Sequence, residues 1–114
     1  MIKWSGLLPP GSVVLLEGAA ERLQIIGLVQ ADKKTLELFD YVAVPFPQGY
    51  IDAENVWKFQ AGDIEKIYAV GPLTENMYEF LDHAEQRLKD LREGKMTYEE
   101  ALKTHWKKGA ANEV

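Results

Sequence analysis

The sequence predicts an α+β domain: a curled five-stranded antiparallel sheet, or a small SH3-like or OB-like barrel, followed by two C-terminal helices. Three observations lead there. Short β-branched apolar runs recur through the first 71 residues with brief polar turns between them. After Gly71-Pro72 the apolar period changes from two to 3.6. A chain of 114 residues has room for one core, removing roughly 65% of its unfolded surface from water. A single domain is therefore expected, with a β part over about 7–71, a helical part over about 73–108 and a tail at 109–114.

The strands follow from apolar runs and their breakers. Ser12 to Glu17 is opened by Pro-Pro-Gly and closed by Gly18, and Arg22 to Val29 follows after a hairpin-length connection. Leu36 to Val44, Asn55 to Phe59 and Asp63 to Val70 complete the set, in the manner of an antiparallel meander. Gly27, inside the second run, marks a bulge, a tight bend or a close backbone approach, the usual uses of a missing side chain in a strand interior.

The helices follow from periodicity and capping. Leu73, Met77, Phe80, Leu81, Ala84, Leu88 and Leu91 form a continuous stripe that Thr74 can cap and Gly94 can end. A second helix starts at Thr97, where Glu100 completes a capping box, and its apolar face comprises Tyr98, Ala101, Leu102, His105 and Trp106. Lys95-Met96 between the two allows only a tight turn, so a helical hairpin closes the chain.

Charge and composition narrow the function. The formal net charge is −5 and both halves are acidic, so the basic surplus that neutralises phosphates is missing and nucleic-acid binding is disfavoured. Lys103, Lys107 and Lys108 complement the end of the last helix. No apolar run approaches the ~20 residues of a spanning helix. The first residues lack the regions of a signal peptide, so cytoplasmic residence is expected. With no cysteine, disulfides and thiolate chemistry are excluded.

Catalysis has no visible carrier. Of the two histidines, His83 lies beside the stripe and is expected at the solvent edge, and His105 at the rim of the second helix's face is expected to pack. Their spacing matches no zinc motif. Asp52 and Glu54 fall short of a calcium loop, and no glycine-rich phosphate cradle is present. The chain is expected not to be an enzyme, and no cofactor or metal is implied. Trp4-Ser5-Gly6 and Tyr78 to Asp82 spell export-signal patterns. Pro9-Pro10 is the wrong context for the first, and chance accounts for the second.

The remaining signal is aromatic. Pro45 ends the third strand and Pro47 stiffens the chain across Phe46, after which Gln48-Gly49 turns into Tyr50-Ile51. Phe46 and Trp57 are expected to fold back as plugs at one end of the sheet, and Tyr50 is open between plug and contact. With Tyr98, Leu102 and Trp106 of the second helix, these three are the candidate partner-binding residues.

Four stretches also carry a resemblance: "LLPPGSVVLLEG", "RLQIIGLVQ", "FDYVAVPFPQGYI" and "FQAGDIEKIYAVG". In this order they resemble a small family of Gram-positive bacteria, domain-of-unknown-function family 4176, over about residues 7–71. That family's pattern is a leucine-proline-x-glycine-serine-valine opening and an isoleucine-isoleucine-glycine strand. A tyrosine-aspartate-tyrosine strand then ends in proline-x-glycine-tyrosine, and aspartate-isoleucine precedes a closing glycine. Phe39 departs from the first tyrosine, Pro10 stands where an aliphatic residue is commoner, and the helical extension replaces a short acidic tail. The resemblance implies proximity to type VII secretion toxin loci, and hence an adaptor or chaperone for an exported effector.

Three functions are therefore in play. The first is a non-catalytic protein-binding accessory module whose partner is another protein, itself helical. The second is an immunity protein whose acidic surface neutralises a neighbouring toxin. The third is a small barrel that stacks a ligand or nucleic acid on Tyr50, Trp57, Phe59 and Tyr68, without flanking cations to help it.

Overall fold

The computed structural model describes residues 2–32 and 34–103. The strands are β1 (Val13–Leu16), β2 (Arg22–Ala31), β3 (Leu38–Pro45), β4 (Trp57–Phe59) and β5 (Ile64–Ala69), and the helices are α1 (Glu75–Arg92) and α2 (Tyr98–Lys103). All five strands join one antiparallel sheet in the order β4-β3-β2-β1-β5.

A meander accounts for the first four strands, but β5 departs from it by crossing to β1. β4 offers three residues for a ladder and β1 offers four. The one-turn 3₁₀ segment Ala61–Asp63 delivers the chain there, where the Glu17 N–H donates to the Asp63 carbonyl at 2.8 Å. The two edge strands are thus consecutive in sequence. A flat sheet of five strands spaced about 4.8 Å apart would hold its edges roughly 19 Å apart. A connection of four residues containing a 3₁₀ turn, at ~2 Å rise per residue, spans much less. The sheet must curl, and it stays open: among the described residues no ladder joins β4 to β5.

Two devices bend β2. Ile25 pairs with Ala43 but Gly27 pairs with Val42, so Ile26 is the extra residue of a bulge at the expected glycine. Val29 has φ 54°, a strained value for a β-branched residue, and it breaks the alternation so that Leu28 and Val29 are both buried.

The core lies between this curl and α1. Leu81, Ala84 and Leu88 of the helix join Val14, Ile25, Leu28, Tyr41 and Phe59 of the sheet, with Met77, Phe80 and Leu91 packed against them. The helix begins as its sequence dictates, the Thr74 Oγ1 accepting the Met77 N–H at 3.1 Å, and Gly94 with φ 73° follows its end. Leu73 precedes the cap, so it never reaches the stripe and is 41% exposed. The capping box of α2 forms reciprocally between Thr97 and Glu100, and Ala101 is buried. His83 is half-buried on the flank of α1. Arg87, one turn further on, donates to the Ala101 carbonyl, so this flank of α1 faces α2. Burial lowers the pKa of that guanidinium. His105 and Trp106 lie outside the described residues.

Polar groups fasten the layers. The fully buried Ser12 hydroxyl donates to the Pro9 carbonyl at 2.7 Å and accepts the Gly71 N–H at 3.0 Å. A Cβ on Gly71 would collide with the Pro10 carbonyl, so only glycine fits there. The Leu8 N–H donates to the Tyr41 hydroxyl at 2.9 Å, and the Leu7 N–H to Glu85 Oε1 at 2.8 Å. At the other end, buried Asp40 takes Arg92 Nη2 at 2.7 Å on one carboxylate oxygen and the Ala61 N–H at 2.8 Å on the other. Gln60 Oε1 accepts from the same Arg92 nitrogen and from the Asp40 N–H.

Ser12→Ala leaves the buried Gly71 N–H without its acceptor and costs about 1–3 kcal/mol in urea unfolding, and Gly71→Ala costs at least about as much through the backbone clash. Tyr41→Phe costs about 1 kcal/mol near neutral pH by deleting the bond to Leu8. Burial raises the Tyr41 phenol above its ordinary 10.0. Because the folded value is the higher, the stability tied to the neutral phenol is complete below about pH 10 and lost as pH rises through the folded value. Alkaline unfolding of the wild type is therefore steeper than that of Tyr41→Phe.

Candidate functional site

The aromatic candidates gather around the loop from Phe46 to Val56 and the edge strand that follows it. The loop is tied down by its own backbone. The Phe46 N–H donates to the Arg22 carbonyl at 2.9 Å, the Phe46–Pro47 peptide is cis, and the Gly49 N–H returns to the Pro45 carbonyl at 2.7 Å. Asp52 caps the 3₁₀ turn Ala53–Asn55 by accepting the Asn55 N–H at 3.0 Å.

From this frame the side chains diverge. Phe46 is half-buried, without joining the core cluster. Trp57 is not the expected plug: it is 52% exposed, because the first residue of a three-residue edge strand has no outer neighbour to cover it. Tyr50 is 65% exposed and Ile51 is exposed beside it. Tyr98 and Leu102 fall on α2, and Trp106 lies outside the described residues.

Trp57 and Tyr50 do not share a surface. Trp57 walls a groove of about 270 Å³ with Leu16, Ala19, Ala20, Glu21 and Leu23, in front of the β1–β2 connection. Tyr50 lines a shallower concavity of about 570 Å³ with Asp32, Phe39, Ala53, Val56 and Lys58. Trp57 and Lys58 are successive residues of β4, and strand alternation sends them to the two different hollows. The Asp32 carboxyl is held below its ordinary range, chiefly by the backbone N–H groups of Thr35 and Lys34, with Lys58 adding a smaller electrostatic pull. That concavity therefore has both an anion and a cation in its lining. Among the described residues, no group of three or more histidines and carboxylates gathers to hold a metal ion.

Sequence reasoning singled out the tryptophan and the tyrosine but missed Glu21, Asp32 and Lys58. Nothing local marks Glu21 as a neighbour of Trp57, since only the curl brings residue 21 to residue 57.

The family model described as a domain of unknown function (DUF4176) matches residues 7–80. The chain belongs to this family. The DUF4176 span covers the whole sheet and runs into the second turn of α1. Within that span the residues divide by role. Ser12, Gly71, Asp40 and Tyr41 are engaged in holding the fold, whereas Tyr50, the tyrosine of the proline-x-glycine-tyrosine turn, points its surface at water. No curated protein and no solved structure matches the chain. Among the described residues, no helix is long and apolar enough to cross a membrane.

If the exposed aromatics do not support the fold, removing them has little effect on stability. Tyr50→Ala shifts the unfolding free energy by no more than about 0.5 kcal/mol and Trp57→Ala by about 1 kcal/mol, as urea titration of each variant checks.

Proposed function

We propose that the chain is a non-catalytic protein-binding accessory module that meets its partner along the β4 edge. The observation behind this reading is that Trp57, on the edge strand, and Tyr50, on a hydrogen-bonded loop that leads into it, both stay more than half exposed. A preordered aromatic contact loses little conformational freedom on binding. The stripe of α1 is occupied by its own sheet, so the described surface that supports this reading is the sheet edge.

Within that class we favour an adaptor or chaperone for a type VII secretion effector, acting in the cytoplasm, on the genomic setting that the family resemblance implies. The acidic net charge of −5 favours one other reading, an immunity protein steered onto a basic toxin. Co-expression with the effector encoded beside it separates them. An adaptor co-purifies with the effector, and its deletion stops export while leaving growth intact. An immunity protein restores growth to cells that make the toxin. The Tyr50→Ala, Trp57→Ala double variant weakens the complex at least about tenfold, and undiminished binding by this folded variant would sink the edge as the contact.

A further inference from the structure

The groove at Trp57 has a specific chemistry. Its floor is aliphatic, made by Leu16, Ala19, Ala20 and Leu23. One wall is the indole of Trp57, and its single charged lining residue is Glu21. An aromatic face beside a carboxylate over an aliphatic floor suits one kind of side chain, a long apolar stem that ends in a cation. The surroundings agree in sign. The connection from Glu17 to Glu21 carries two glutamates and no cation, and the adjacent Arg22 is laid over the Tyr68 ring, 3.8 Å from its centroid.

The backbone beside the groove is also unfinished. β4 is the terminal strand and pairs with β3 alone. Antiparallel pairing directs alternate residues' N–H and C=O groups to opposite sides, so one side of β4 faces outward. With hollows on both faces of this strand, an added strand would drop successive side chains alternately into them.

We propose that β4 takes up an extended basic segment of a partner protein by strand addition, an arginine or lysine side chain lying between Trp57 and Glu21. This rests on the protein-binding reading above and names the chemistry of its site. The residues flanking that cation fall on the other face, beside Tyr50 and Lys58.

The test uses the whole ¹⁵N-labelled chain and three end-capped octapeptides of alternating threonine and valine, identical except for a central arginine, leucine or glutamate. Amide shifts are followed by NMR. The arginine peptide is expected to move resonances of Leu16 to Leu23 and Trp57 to Phe59, and to bind at least about tenfold more tightly than the glutamate peptide, with the advantage shrinking as salt is added. Glu21→Gln lowers arginine-peptide affinity about threefold and leaves the leucine peptide unchanged, whereas Trp57→Ala lowers both about fivefold or more. The same spectra show that each variant is folded. Equal binding of the arginine and leucine peptides, shifts confined to other regions, or no binding of any peptide overturns the proposal. A Glu21→Gln, Trp57→Ala chain that retains the co-expressed effector fully removes this site and leaves the protein-binding reading standing. Peptide binding as described, with no effector recovered by the wild type, does the reverse.

Discussion

The hydroxyl of Ser12 is the point on which the rest of the architecture hangs. It is fully buried and acts as both donor and acceptor, so it fixes the Pro9-Pro10 turn against the end of β5 through the Gly71 N–H. The same turn holds β2, since the Gly11 N–H donates to the Ile25 carbonyl and the Ile25 N–H donates to Ser12. Three strands are brought into register around one serine. Pro72 follows at once, so the direction in which the chain leaves for α1 is set there too.

From that anchoring the surface follows by elimination. α1 lays its apolar stripe across the curl, and Tyr41, bonded to Leu8 and stacked near Phe59 at 5.5 Å between ring centroids, fills the middle. The sheet keeps two free edges that differ in character. β5 presents Glu65 and Lys66, the charged residues that discourage unwanted pairing, together with Tyr68, which Arg22 covers. β4 is shorter and presents Lys58 beside Trp57, with a hollow on each face. The functional reading rests on this asymmetry between edges more than on any single residue.

Much of the fold was legible in the chain because its cues are local. The cap at Thr74, the box from Thr97 to Glu100, the stripe on α1 and the bulge at Gly27 each depend on residues within a turn or two. The choice of β1 over β4 as partner for β5 does not, since ladder partners are decided by reach and by the length of strand on offer. Trp57 shows the limit within one strand. Period-two alternation groups it with Phe59 on the inner side, yet position at an open edge leaves it half in water. In the site, Trp57 and Tyr50 were visible as unexplained aromatics, while Glu21, Asp32 and Lys58 had no local signature.

The arginine near the end of α1 has a mechanical consequence. Arg92 grips Asp40 in β3 and Gln60 at the corner between the two edges, and Asp40 in turn grips Ala61. The last turn of α1, β3 and the corner between the edges thus share one hydrogen-bonded junction. Losing that one guanidinium would therefore unfasten the helix end from the strand and from the corner together.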